Sequence, residues 1–401
     1  MSRELHILSA CTRYLPLRAG AENMMHQVHR VLVEMGHRVT VLVVHDEKEG
    51  WAPNEVIDGV EIERVGTDYG YEMMAAAMER HKPDMVFAQF ALLPYAIERC
   101  VEVDVPVVAF CHTGHGFGTA LIAGLTEMVD LFVFNSPMLR NEADNTNVRN
   151  VVVVPPLERD RVIAPVRDPQ CITAINLCAI KGGRMFWEMA KRFPERRFLG
   201  VKGGYEDQIV EDLPNVTVLD HGADMRLVYG RTKVLLMASR YETFGMAAVE
   251  AQANGIPVIA SDLPGLRYAL DGGAIFVKPD DMDGWEKALH TLDRKADYER
   301  LAGRAKDNVT RHDFTRDMKV LGLVLADLVR KKPRVQRPGI QNLPNEMRAL
   351  YAYVIDEVRK RTGREAPEAE VIKLVGGPDK PQDIIETLVA LVEVERAAIG
   401  G

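Results

Sequence analysis

Short runs of apolar, β-branched residues alternate with longer amphipathic segments almost to residue 300, and this alternation narrows the possible folds more than any other feature. The early runs are LHILSAC (5–11), RVTVLVV (38–44), VEIERV (60–65), MVFAQF (85–90), VPVVAFC (105–111), LFVFNS (131–136) and VVVVPP (151–156). Between most of them lie helical patterns such as AENMMHQVHRVLVEMG, where Met24, Val28, Val31, Leu32 and Met35 fall on one stripe and Gly36 ends it. Continuous apolar strands joined by helices imply a parallel sheet covered on both faces.

The alternation pauses at LERDRVIAPVRDPQ (157–170), which is charged, holds two prolines and lacks periodicity. A second series follows, with CITAINL, RFLGVK, VTVLD, KVLLMAS, PVIAS and AIFVKP as its strands. The expected fold class is therefore α/β: two tandem Rossmann-like, doubly wound domains, 1–160 and 171–328, joined by a linker at 161–170 and facing each other across a cleft. Ligands of open α/β sheets bind beyond the carboxyl ends of the strands, so the residues that follow each strand are the ones to read for chemistry. From 329 to 401 the character changes: the basic run RKKPRVQRPG leads into two amphipathic helical patterns, read as a helical extension behind a solvated linker.

Composition removes several function classes. A length of 401 residues and 47% hydrophobic content suffice for more than one core, while a formal net charge of −8 repels polyanions and argues against nucleic acid or an acidic membrane as main partner. Five cysteines (Cys11, Cys100, Cys111, Cys171, Cys178) form no CxxC pair and read as buried, reduced thiols. No apolar stretch approaches the length of a membrane span, and the run before Thr12 is too short for a signal peptide, so a cytoplasmic location is expected.

The stretch SRYETFGMAAVEAQANGIPVIAS (239–261) carries the strongest chemical signal. A strand ends near Ser239, a turn holds Glu242, Phe244 and Gly245, and a helix runs from about Met246 until Gly255 and Pro257 stop it. A helix N-terminus at a strand end suits an anion such as a diphosphate, and a glycine there lets the backbone approach closely. Glu250, two turns on, can accept hydrogen bonds from a vicinal diol such as a ribose; taken singly, such glutamates are ordinary solvent-facing or capping residues.

The whole segment resembles the Glu, seven residues, Glu signature of retaining GT-B glycosyltransferases similar to glycosyltransferase family 4. AINLCAIKGG (174–183) is similar to the family's strand and Lys-Gly loop, FLGVKGGY to its next strand and glycine turn, and YLPLRAGAENMMHQVHRVLVEMGHRVTVL, more loosely, to its first loop, helix and strand. The likeness covers roughly residues 1–325. It implies a GT-B fold in which Glu250 binds ribose hydroxyls, Glu242 lies at the donor sugar near the reacting centre, and the amides of Phe244, Gly245 and Met246 hold sugar and diphosphate. Lys181 would neutralise the diphosphate leaving group, a fixed cation where negative charge develops. Where many members of the family carry an arginine, Asn176 stands here, and Arg240 or Arg184 would supply part of the missing charge. The resemblance also implies that Gly203 and Gly204, in the glycine turn of FLGVKGGY, contact the nucleotide.

In the first domain, His112 leaves the strand of AFCHTGHG at the place where the family often has a histidine close to donor sugar and acceptor, with His115 as a weaker candidate. Gly20, in the loop Arg18 to Glu22, is expected to let the backbone approach phosphate or acceptor, and Ser136 to cap a helix. No HExxH or carboxylate pair stands at metal-ligand spacing, so neither a metal nor a cofactor is expected, and no Gly-x-Gly-x-x-Gly follows the first strand. The expected activity is metal-independent, retaining transfer of a sugar from a nucleoside-diphosphate sugar, with UDP or GDP as the nucleotide, to a hydroxyl acceptor. The sequence leaves open the acceptor (small molecule, lipid, protein or modified nucleic acid) and the oligomeric state. The competing readings are a GT-B sugar-nucleotide epimerase or phosphorylase, and a scaffolding protein that binds nucleotide sugars without turnover.

Overall fold

A computed structural model of the chain describes residues 3–16, 20–44, 54–65, 71–89, 92–112, 129–142, 149–204 and 206–330. His115, Arg18, Tyr205 and the helical extension beyond 330 lie outside the described residues. The described chain divides into two compact units, one within 3–15, 25–153 and 318–330, the other within 16–24 and 154–317.

The first unit is built on eight strands, β1 His6–Cys11, β2 Arg38–Val44, β3 Glu55–Ile57, β4 Val60–Val65, β5 Met85–Gln89, β6 Val107–Cys111, β7 Leu131–Phe134 and β8 Asn150–Val152, in the order β3-β4-β2-β1-β5-β6-β7-β8. All neighbours are parallel except β3, which pairs antiparallel with β4. Strands β6 and β7 are buried at every residue and read as unbroken apolar runs, whereas β4, which pairs with the short antiparallel edge strand β3, alternates buried and half-buried side chains. Strand β3 escaped the sequence pattern because it is three residues long. Its signal was the Asp58-Gly59 pair, whose φ angles of 51° and 80° give the hairpin turn that matches the twist of its strands.

The helix Gly20–Glu34 follows β1 and buries Met24, Val28 and Leu32 as its periodicity requires. Met35 falls beyond the last helical residue and is 36% exposed, so the stripe ends one residue earlier than the pattern implies. Gly36 then takes φ +90°, the left-handed stop.

The second unit carries six parallel strands, β9 Cys171–Ile175, β10 Arg197–Val201, β11 Val216–Leu219, β12 Thr232–Met237, β13 Val258–Ser261 and β14 Ala274–Val277, in the order β11-β10-β9-β12-β13-β14. Its core gathers Phe186, Trp187, Phe198 and Trp285, and both indoles find acceptors: Trp187 Nε1 donates to Ile209 O at 2.8 Å and Trp285 Nε1 to Lys278 O at 3.1 Å. The order 2-1-4 around β9 places the ends of β9 and β12 side by side, which is where an open sheet of this kind forms its crevice.

The stretch 157–170 contains the helix Arg159–Val162 and is fastened to the second unit. Asn254 donates from Nδ2 to Val162 O at 3.0 Å and accepts from Ala164 N at 2.8 Å, while Arg167 donates to Asn254 O at 2.7 Å and Thr232 O at 3.0 Å. The helix Phe314–Arg330 carries the chain back to the first unit, with Met318, Leu321 and Leu325 buried.

Candidate active site

At the carboxyl end of β9 the chain turns sharply. Asn176 adopts φ +66°, Lys181 closes the short helical turn Ala179–Lys181, and Gly182 (φ +89°) starts the helix Gly183–Arg192. The two glycines are needed for contact, beyond flexibility. A Cβ on Gly182 would lie 2.4 Å from Ala238 O, and one on Gly183 would lie 2.0 Å from Leu177 O. Arg240 N donates to Ile180 O at 2.8 Å, so the Lys-Gly loop and the turn after β12 are bonded through their backbones.

This close packing brings Lys181 Nζ to 2.7 Å from Glu242 Oε2, across 61 residues of sequence. The lysine side chain is 30% exposed and the carboxylate 13%, so the pair is shielded yet reachable. Beside it the turn 242–245 is pressed against the start of the helix Pro264–Leu270: a Cβ on Gly265 would sit 2.2 Å from Glu242 O, and one on Gly245 2.5 Å from a Leu266 methyl. Gly245, at φ +90°, caps the helix Met246–Ala253, whose first amides have no acceptor within the helix. Phe244 points the other way, 2% exposed and edge-on to His312 at 5.1 Å. Its ring anchors the turn in the core and leaves only its backbone for a ligand.

Glu250, two turns along that helix, has a different partner. Its Oε2 accepts from the buried Tyr229 hydroxyl at 2.6 Å. Burial pushes the Glu250 carboxyl up to about 7, against the opposing pull of that hydrogen bond. The two glutamates of the motif are thus in unlike settings, one paired with a lysine ammonium and the other, half-buried, hydrogen-bonded to a phenol.

Asn176 takes part in a local clasp. Its Oδ1 accepts from Cys178 N at 3.2 Å and from Gln208 Nε2 at 3.1 Å, and Gln208 Oε1 accepts from Leu177 N and Gly203 N, both at 2.8 Å. Gly203 must lack a side chain because its Cβ would be 2.4 Å from Asn176 Cγ; a Cβ on Gly204 would come within 3.0 Å of the His221 ring. Arg240 pairs with Asp280 at 2.5 Å, with both side chains more than half exposed. Gln208 and Tyr229 are the site residues that sequence reasoning missed. Neither belongs to a motif, and their partners are 32 and 21 residues away.

In the first unit, His112 follows β6, its carbonyl accepts from Asn135 Nδ2 at 3.0 Å, and its ring stacks on Phe110 at 6.3 Å. Burial lowers its imidazole to about 4, which keeps it neutral at pH 7. Gly20 opens the helix Gly20–Glu34, is exposed and faces open space. Ser136 Oγ accepts from Leu139 N at 3.2 Å in the first turn of Pro137–Glu142. Among the described residues no group of three His, Cys, Asp or Glu is close enough to share a metal ion, and no helix is long and apolar enough to cross a membrane.

Residues 18–157 match the family described as Glycosyltransferase Family 4, and residues 171–294 match the one described as Glycosyl transferases group 1. The O-antigen chain mannosyltransferase RfbU of Salmonella typhimurium is 32% identical over 104 residues, 26% of this chain and 29% of that protein. The D-inositol 3-phosphate glycosyltransferase of Corynebacterium kroppenstedtii is 34% identical over 116 residues, 28% of this chain and 26% of that one. The chain therefore spans less than a third of the length of these curated relatives. Among solved structures, the Anabaena protein Alr3699/HepE in complex with UDP-glucose superposes with a TM-score of 0.68 at 14% identity, covering 81% of this chain and all of that one. The sucrose-phosphate synthase of Thermosynechococcus elongatus gives 0.67 at 14% identity over 81% of this chain and 99% of that one. These likenesses identify the fold as GT-B. With one family description over the first unit and its companion over the second, the chain belongs to the family 4-like, group 1 glycosyltransferases.

Proposed function

We propose that the protein is a metal-independent, retaining glycosyltransferase that moves a sugar from a nucleoside-diphosphate sugar, UDP or GDP, to a hydroxyl acceptor. The observation that carries this reading is the Lys181–Glu242 pair at 2.7 Å beside the N-terminus of the helix Met246–Ala253. Breaking a glycosyl–phosphate bond leaves negative charge on phosphate oxygens; a lysine ammonium together with uncommitted helix amides stabilises that charge as it develops. Glu242 holds the lysine in place before donor arrives and faces the sugar once the ammonium turns to the diphosphate. Retention rests on family membership alone.

Support for a nucleotide-sugar donor also comes from HepE, solved with UDP-glucose, while a starch synthase of Arabidopsis thaliana with the same fold was solved with ADP, so the base is left to experiment. A cytoplasmic location belongs to the same proposal, supported by five cysteines that are all buried as thiols. The measurement that tests the reading is nucleoside-diphosphate release across UDP-, GDP- and ADP-sugars, with Lys181→Ala and Glu242→Ala as controls. Both variants should fold and lose at least about a hundredfold in turnover; near-normal release in both would remove the site assignment. A second reading, donor binding without turnover, draws on Asn176, whose amide is committed to Gln208 where many relatives supply a cation. Tight binding of one donor with no release from any would favour it.

A further inference from the structure

Tyr229 lies in the last turn of the helix Met225–Arg231 and is 0% exposed, yet its hydroxyl reaches two acceptors, Glu250 Oε2 at 2.6 Å and Ala247 O at 3.2 Å. It has one proton to give, and the shorter, better acceptor is the carboxylate. A phenylalanine would fill the same core volume. The hydroxyl therefore has a task other than packing, since burying a phenol is costly unless its partner is fixed. That partner lies on the helix that starts at the candidate donor site.

We infer that Tyr229 is a positioning residue for Glu250. It occupies Oε2, locks the side chain in one orientation and leaves Oε1 as the acceptor presented to the ribose hydroxyls of the donor, so that selection of ribose over deoxyribose passes through Tyr229. This rests on the reading of Glu250 as the ribose partner. The charged groups that face Glu250 are Glu158 and Arg161, from the segment packed beside it, with Tyr229 the hydrogen-bond donor. Burial and Glu158 push the carboxyl up, Tyr229 and Arg161 draw it down, and the balance falls at about 7. Removal of the Tyr229 hydroxyl leaves burial less opposed and moves that balance higher. A protonated carboxyl accepts fewer hydrogen bonds from a diol, so ribose preference should fade as pH falls.

The experiment is calorimetric titration of the full chain with UDP, GDP and ADP, then with the 2′-deoxy form of whichever binds tightest, between pH 5.5 and 8.5. Wild type should prefer the ribo form by roughly tenfold at pH 8 and lose much of that preference at pH 5.5. Tyr229→Phe should bind the deoxy nucleotide as wild type does, cut the ribo preference by about three- to tenfold, and shift the pH at which the preference fades upward. Glu250→Gln should abolish its pH dependence. If Glu250→Gln changes the preference while Tyr229→Phe alters neither ratio nor pH profile, the positioning role is overturned and the ribose reading stands. If Glu250→Gln changes nothing, or no nucleotide binds, the ribose reading itself falls. Should Tyr229→Phe fail to fold, a wild-type preference that is flat with pH would equally overturn the proposal.

Discussion

The two units bury their ionisable groups in opposite ways. Behind β1 the first unit sinks imidazoles into its interior: Tyr14 OH lies 3.0 Å from His26 Nδ1 and 2.9 Å from His29 Nδ1, His26 Nε2 lies 2.9 Å from Asp58, and burial drives His29 down to about 3. The second unit half-buries a carboxyl, Glu250, against the Tyr229 hydroxyl, and desolvation drives it up to about 7. Both shifts express one rule, that a low-dielectric setting disfavours the charged form. The consequences for stability have opposite signs. A histidine whose folded pKa is lowered takes up its proton on unfolding, so the stability it contributes is full above about pH 6.5 and drains away as pH falls toward 3. A glutamate whose folded pKa is raised contributes stability that is full below about 4.5 and is lost as pH rises through 7. Acid should loosen the first unit, and mild alkali, by ionising Glu250, should loosen the second.

The contrast can be broken in several places, beginning where the effect is largest. Trp187→Ala should cost the second unit about 3–5 kcal/mol, read as a fall in its unfolding midpoint while hydrogen exchange in β1 and β5 stays slow. If both units melt together, they do not act as separate cooperative bodies. Gly183→Val should be nearly as damaging to turnover as loss of Lys181, because its side chain would collide with Leu177 O and push the Lys-Gly loop off β12. Unimpaired turnover would mean that the loop position is not what places the lysine. His29→Leu should flatten the acid side of the first unit's stability profile, which otherwise falls by up to about 1.4 kcal/mol per pH unit below 6.5. Exchange rates at pH 5 and 7.5 read this directly, and an unchanged profile would acquit the buried imidazole. The smallest effect belongs to Arg240→Ala, which removes an exposed pair with Asp280 and should change stability by under ~1 kcal/mol. A larger change in donor KM than in stability would give Arg240 a part in binding phosphate.

What the sequence makes legible follows the range of the physics involved. The two sheets, the turn at Glu242 and the Lys-Gly loop are written in contiguous residues, through strand runs, glycines at forced angles and a helix start. The Lys181–Glu242 contact was within reach because both residues follow strands of one sheet. The clasp from Gln208 and the phenol of Tyr229 were not, since each acts on a residue far along the chain and looks, in its own neighbourhood, like an ordinary loop amide or helix-end aromatic. Strand β3 was hidden by brevity, and the exposure of Met35 by a helix that stops one residue early.

Asn254 carries a consequence for how this unit can be moved between proteins. It terminates the helix that bears Glu250 and, with the same side chain, holds Val162 and Ala164 of the incoming segment. The natural seam for transplanting the second unit therefore lies ahead of Val162, not at the first residue of β9. A chimera cut at 171 would give Asn254 a foreign strand to hold, whereas one cut before Arg159 would inherit the buckle together with the belt it fastens.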